Sequence, residues 1–141
     1  MKLVVMMFLA LFFIAACNNA DDVVSIDEGS FINQISNITF NRGEYLGRTL
    51  SLEGIFKAFP REGAEPLHQV FRYIPGCCGP DSTVGFALDM GDFEPLPDYA
   101  WAKVSGILDE YNDPGGFTRL HLIVTSLTES EETRGAEFLE P

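Results

Sequence analysis

Apolar and polar residues alternate over five stretches in the middle of the chain, which predicts five β-strands. The predicted strands cover residues 49–59, 68–74, 84–90, 100–108 and 117–127. Before them, Phe31, Ile32, Ile35 and Ile38 recur at helical spacing behind Ser30, a residue type that favours helix N-termini. A short helix over residues 31–38 is therefore expected to precede the strands.

Glycine and proline positions separate the predicted strands. Residues 112–116 read Asn-Asp-Pro-Gly-Gly, which is a strong hairpin signal between the last two strands. Gly54 and Gly106 lie inside strand patterns, where a missing side chain marks a bulge or the tight coil of a small barrel. Five short strands are too few for most sandwiches, so the pattern favours a mainly β fold built as a small, partly open barrel.

Two segments resemble particular strands of the OB fold. Residues 47–54 look like its opening strand, and residues 101–106 look like a later strand. The resemblance implies a five-stranded OB-like barrel with a short N-terminal helix. Another small β-barrel or a sandwich is the alternative, because alternation identifies strands but not their order.

The N-terminal segment indicates where the protein is located. Lys2 precedes an unbroken apolar run over residues 3–16, which is shorter than the ~20 residues that span a bilayer. Such a run is typical of a secretory signal peptide over residues 1–16. Ile14-Ala15-Ala16-Cys17 resembles the lipobox of bacterial lipoproteins. This resemblance implies an extracytoplasmic protein held at a bacterial membrane by acyl chains on Cys17; the alternative is an ordinary cleaved signal beside a chance cysteine.

The rest of the chain reads as one domain with polar ends. We expect a lipidated N-terminus and solvated tether over residues 17–30, the barrel over 31–127 and an acidic tail over 128–141. The chain has 21 acidic and 9 basic residues and a formal net charge of −12. Because nucleic-acid binding requires cations, this balance argues against a nucleic-acid partner and mildly favours a metal or a basic partner.

Cys77 and Cys78 are adjacent between the second and third predicted strands. An exported protein meets an oxidising compartment, where a disulfide is expected. Neighbouring Cα atoms lie ~3.8 Å apart, closer than the ~4.4–6.8 Å of ordinary disulfides. Three interpretations are open: a strained, redox-sensitive disulfide, a dithiolate site for zinc or copper, or two packed thiols with a structural role.

Few other side chains are candidates to complete a metal site. His68 at the start of the second strand, His121 in the fifth and Asp81 after the cysteines are weak candidates. Neither histidine is spaced like a zinc signature. The cysteines lack both a CxxC spacing and a placed histidine base, so we predict no enzymatic activity.

Three segments together resemble the extracytoplasmic half of the YcgQ-like proteins, which are uncharacterised bacterial membrane proteins. They are residues 47–54, residues 71–74 with Cys77, Cys78 and Asp81, and residues 101–106. Gly79-Pro80 departs from the small apolar residues expected there, and a lipid anchor is expected in place of a membrane-embedded half.

The resemblance implies a tethered module that displays a cysteine-bearing loop, and our leading hypothesis is that this loop binds a metal ion or an envelope protein. A structural or interaction lipoprotein with a vicinal disulfide, and a thiol redox protein, are the alternatives.

Overall fold

The structure is a computed structural model that describes residues 22–76, 79–131 and 135. Within those residues lie one α-helix, six β-strands and short 3₁₀ turns at Glu28–Ser30 and Arg42–Glu44. In chain order the main elements are β1 (Val24–Ser25), α1 (Phe31–Phe40), β2 (Thr49–Arg61), β3 (Ala64–Gly76), β4 (Gly79–Asp89), β5 (Trp101–Asn112) and β6 (Thr118–Glu129).

Strands β2 to β6 close into a five-stranded barrel. The sheet order is β1-β2-β3-β4-β6-β5, and β5 pairs back onto β2. Neighbouring barrel strands are antiparallel except β4 and β6, which are parallel. The predicted fold class, a small five-stranded OB-like barrel with a short N-terminal helix, is confirmed, and the barrel is closed rather than partly open.

Most strands are longer than the alternation predicted. β3 begins at Ala64 rather than His68 because the turn before it is only Glu62-Gly63. Pro66 is tolerated inside β3 because the register between β2 and β3 is irregular near this end. β4 begins at Gly79 rather than Val84, and β5 continues to Asn112.

Apolar side chains from the helix and the strands form one main core. Helix α1 buries Phe31, Ile35 and Ile38 on one face, as their spacing predicted. Ser30 lies at the N-cap position, although its side chain makes no capping hydrogen bond. The barrel strands add Leu50, Leu52, Phe56, Val70, Phe86, Leu88, Ala102, Val104, Leu108, Leu122 and Val124 to this core.

The segment before the helix is more ordered than a solvated tether. Val24 pairs in parallel with Leu50 of β2, and the backbone N–H of Ile26 donates to the carbonyl of Ser51. Ile26 is buried in the main core. The tether expected over residues 17–30 is therefore wrong for residues 24–26, because this short apolar stretch adds a strand to β2 and buries a side chain.

Two glycines allow the barrel strands to bend and approach one another. A Cβ on Gly54 would lie 2.7 Å from the carbonyl oxygen of Phe71. The next residue, Ile55, pairs with both β3 and β5, so β2 changes partners here. A Cβ on Gly106 would lie 2.7 Å from a β6 carbonyl oxygen, beside a register shift between β5 and β6. The predicted bulge is confirmed at Gly106, whereas at Gly54 the close approach of β3 leaves no room for a side chain.

Candidate functional site

The β3–β4 hairpin extends past the barrel. The pairing of β2 with β3 ends at Ile55 and Phe71, and β6 pairs only with residues 87–89 of β4. Within the described pairings, residues 72–76 and 79–84 therefore have no partner strand except each other. These two segments form a two-stranded projection, which we call the arm.

The arm ends at the cysteine pair. Gly76 pairs with Gly79, so chain continuity makes Cys77 and Cys78 the connection between the two strands. All three cysteines of the chain lie outside the described residues, and the predictions for their thiols stay predictions. Asp81 lies on β4 near the same end of the hairpin.

A buried arginine fixes the base of the arm. The side chain of Arg72 is 3 % exposed, and its Nε donates to the carbonyl oxygen of Glu53 at 2.9 Å. Its Nη1 lies 3.4 Å from the carboxylate of Glu28. The guanidinium also lies over the rings of Phe31 and Trp101, 4.8 and 4.9 Å from their centroids. We call these five residues the base cluster.

The base cluster is charged as well as buried. Burial lowers the pKa of the Arg72 guanidinium, and the carboxylates of Glu28 and Glu53 oppose this shift. Arginine side chains stay protonated in proteins, so Arg72 carries a positive charge in this cluster. Glu53 also accepts a hydrogen bond from the Trp101 indole at 3.2 Å and lies 3.7 Å from Lys103 Nζ. The cluster thereby joins β3 to α1, β2 and β5.

His68 and His121 line one groove, at the opposite end of the β3–β4 hairpin from the cysteines. His68 pairs with Leu88 of β4, and His121 pairs with the adjacent residue, Ala87. The ring of His68 stacks on Phe56 at 5.7 Å, and that of His121 stacks on Tyr111 at 4.9 Å. The groove has a volume of about 560 Å³ and includes Asp89. We call it the histidine lobe.

The histidines are too far from the cysteines to share a metal ion with them. The stretch of β3 from His68 to Gly76 is roughly 26 Å long at ~3.3 Å per residue, whereas zinc ligands lie ~2.0–2.3 Å from the metal. Within the part of the chain that the structure describes, no three His, Cys, Asp or Glu side chains are grouped to hold a metal ion. The candidate ligands therefore divide into two separate ends of one hairpin.

A second lobe of about 550 Å³ adjoins the histidine lobe. The two lobes share four residues, among them Arg61 and Tyr111. Three arginines line this second lobe, Arg42, Arg61 and Arg119, whereas Asp113 is the acidic residue among its described lining residues. We call it the arginine lobe.

Two of these arginines are ion-paired. Arg42 Nε lies 2.7 Å from a carboxylate oxygen of Glu110, and Arg119 Nε lies 2.9 Å from Asp113. Asp113 also accepts the backbone N–H of Phe117 at 2.9 Å. This backbone hydrogen bond, followed by the one from Arg119, lowers the pKa of the Asp113 carboxyl group. The hairpin that borders the lobe is thus held by an ionised carboxylate.

A family model described as the DUF1980 C-terminal domain matches residues 14–135. This range contains α1, the described strands, the arm and both lobes. The chain belongs to the DUF1980 C-terminal domain family. A search of curated proteins finds no match to the chain.

The DUF1980 family comprises uncharacterised, membrane-associated proteins. The expectation from the sequence that the chain is related to uncharacterised membrane proteins is confirmed to that extent. The match indicates no enzyme class. Over the described ranges, no helix has the length and apolar content needed to cross a bilayer.

Sequence reasoning missed two clusters in this DUF1980 domain. A signal for the base cluster was available, because Arg72 is a charged residue inside the apolar stretch 71–74 and a buried charge needs a partner. The arginine lobe gave no such signal. Arg42, Arg61 and Arg119 are far apart in sequence, and only the barrel brings them to one lobe.

Proposed function

We propose that this DUF1980 domain is an extracytoplasmic binding module, anchored to a bacterial membrane by lipid on Cys17. In this proposal the arm presents Cys77 and Cys78 to a thiophilic metal ion or to an envelope protein. The observation that carries it is the arm: two strands that pair only with each other past the barrel and lead into the cysteine pair. A tip that projects from the barrel is accessible to a partner, whereas a tip within the core is not.

The base cluster supports a recognition role for the arm. A two-stranded hairpin alone is marginally stable in water. Arg72, the first residue of the arm, opposes this instability. Its side chain donates a hydrogen bond to a backbone carbonyl of β2 and lies over rings from α1 and β5. A hairpin with a fixed base holds its tip in a defined position, which reduces the entropy lost on binding.

The expected anchor would keep the module close to the bilayer. At ~3.3–3.6 Å per residue, the chain from Cys17 to Val24 spans at most roughly 25 Å. Val24 is already paired with β2, and Asp22 is ion-paired with Arg48 at 2.9 Å. A domain held at this distance is suited to a partner in or on the same membrane.

If the arm binds a metal ion, the chemistry of its two thiolates limits which ion it can be. Two adjacent thiolates suit zinc or copper(I), and structural zinc takes four ligands. Because His68 and His121 lie at the other end of the hairpin, the remaining ligands would come from Asp81 or from the partner protein. The metal site is therefore proposed at the arm tip, with solvent completing the coordination when no partner is bound.

Metal content and free thiols of the full chain, purified in detergent without reductant, test the proposal. We expect about one zinc or copper ion per chain, with thiols that resist alkylation only while the metal is bound. The Cys77→Ser/Cys78→Ser variant should lose the metal. Cys17→Ser is the matched control, which should keep the metal but lose membrane attachment.

A different outcome separates the alternatives. A chain without metal and without free thiols would contradict metal binding and indicate a Cys77–Cys78 disulfide. Cycling of that disulfide at a mild potential would favour a thiol redox protein. A disulfide that resists reduction would favour a structural or interaction lipoprotein.

A further inference from the structure

The histidine and arginine lobes adjoin each other away from the arm tip, and we call the two together the groove. Arg61, Leu67, Ala87 and Tyr111 line both lobes. Each lobe, at about 560 and 550 Å³, lies within the ~300–1,000 Å³ range of small-molecule sites. The space is therefore large enough for a ligand that occupies both lobes.

Arg61 lies where the lobes meet, and no carboxylate of the described residues lies within ion-pair distance of its guanidinium. The other four arginines of the described ranges each have an acidic partner. Arg61 has none there; its Nε donates to the backbone carbonyl of Glu65 at 2.7 Å. That bond orients the guanidinium and leaves its terminal N–H groups for a ligand.

The arginine lobe concentrates positive charge in an acidic protein. The chain has a net charge of −12, yet three arginines and one aspartate are the charged residues among the described lining of this lobe. Gln69 lines it as well and offers uncharged hydrogen-bond donors. A concave cationic surface of this kind attracts anions, and guanidinium groups match carboxylate and phosphate oxygens.

The histidine lobe supplies a different surface. Tyr111 is stacked on His121, and Phe93 and Met90 add apolar area to the same lining. Glu65 and Asp89 in this lobe disfavour a second anionic group there. The groove therefore offers cationic recognition at one end and a flat apolar contact at the other.

We propose that the groove binds a small organic anion, with its carboxylate or phosphate group against Arg61 and Arg119 and its apolar ring along Tyr111. This site is independent of the cysteine pair, because the hairpin separates the two by roughly 26 Å.

Phenyl phosphate, inorganic phosphate and benzyl alcohol test the two halves of the site on the full chain in detergent. Calorimetry and amide chemical shifts measure binding. We expect phenyl phosphate to bind more tightly than either fragment, with shifts at Gln69, Ala87 and His121. Arg61→Gln should weaken phenyl phosphate binding about tenfold or more, as expected for a charged hydrogen-bond partner.

Arg48→Gln is the matched control, because it removes the same charge from an arginine that does not line the groove. It should leave the affinity for phenyl phosphate unchanged, as should Cys77→Ser/Cys78→Ser. No detectable binding of phenyl phosphate would overturn the proposal. An equal loss of affinity in Arg61→Gln and Arg48→Gln would also overturn it, since the loss would then reflect the change in net charge rather than a contact in the groove. Equal affinity for phenyl phosphate and inorganic phosphate would overturn the ring contact.

Discussion

Two of the barrel's long hairpins, β3–β4 and β5–β6, end in different ways. The β5–β6 hairpin is closed by a turn whose residues suit it: Asp113 accepts the backbone N–H groups of Gly115 and Phe117, and Gly116 adopts a φ of +81°. In the β3–β4 hairpin, the sequence between the paired Gly76 and Gly79 is Cys77-Cys78, and cysteine is not a preferred turn residue. Positions that break a local structural rule are often functional.

The hairpins also differ in how the rest of the fold supports them. β5 pairs with β2 as well as with β6 over much of its length, whereas the arm has no partner strand among the described residues. The arm depends instead on the base cluster at its root. We therefore expect changes at the base to affect stability and changes at the tip to affect chemistry.

Arg72→Ala should give the largest effect. It removes the ion pair with Glu28, the hydrogen bond to the Glu53 carbonyl and the contacts with two rings. Because Glu28 is half exposed, we expect a loss of about 2–3 kcal/mol in the free energy of unfolding, at or below the range for a broken buried ion pair. Urea unfolding measures this loss.

Hydrogen exchange shows whether the loss is centred on the arm. Exchange of the Val84 amide, opposite Arg72, should increase more than that of the Leu122 amide in the barrel. Arg48→Ala is the control, since its ion pair with Asp22 is exposed and is expected to contribute at most about 1 kcal/mol. Equal effects of the two substitutions would show that Arg72 does not hold the arm.

The sequence predicted the strands of the barrel better than those of the arm. Alternation located the barrel strands because a shared core forces every second side chain inward. It failed for the outer part of β4, where Ser82 and Thr83 are both exposed and no core imposes a period. It also missed β1, since Val24 and Ile26 are too few residues to show a period.

Asp113→Asn tests the turn of the β5–β6 hairpin and should have a smaller effect than Arg72→Ala. Hydrogen bonds and Arg119 lower the pKa of the Asp113 carboxyl in the folded chain below its ordinary value of 3.8. The carboxylate therefore stabilises the fold above that ordinary value, and this contribution is lost as the pH falls through the lowered pKa. Unfolding midpoints should differ between the unmodified chain and the variant near neutral pH, begin to converge as the pH falls below 3.8, and coincide once it has passed the lowered pKa.

Asp92→Asn is the matched control for this experiment, because it removes the same charge from an exposed residue of the loop between β4 and β5. It should not reproduce the pH-dependent difference. A constant difference between Asp113→Asn and the unmodified chain down to strong acid would show that charge at Asp113 does not stabilise the turn.

The candidate site was predictable only where its residues are adjacent in sequence. Cys77 and Cys78 stand next to each other, so the sequence alone identified them. The grouping of His68 with His121, and of both with Arg61, depends on the strand register, which alternation does not determine.

Cys77→Asn/Cys78→Gly tests the tip itself and should have the smallest effect on stability. The pairing of Gly76 with Gly79 leaves a two-residue connection, and Asn-Gly is the favoured sequence for such connections. If the cysteines serve recognition, the variant should match or exceed the unmodified chain by up to about 1 kcal/mol while losing metal or partner binding. Calorimetric unfolding measures the stability. A loss above about 2 kcal/mol would instead indicate that the cysteines support the arm structurally, because a disulfide between neighbouring residues closes too short a loop to contribute that much by itself.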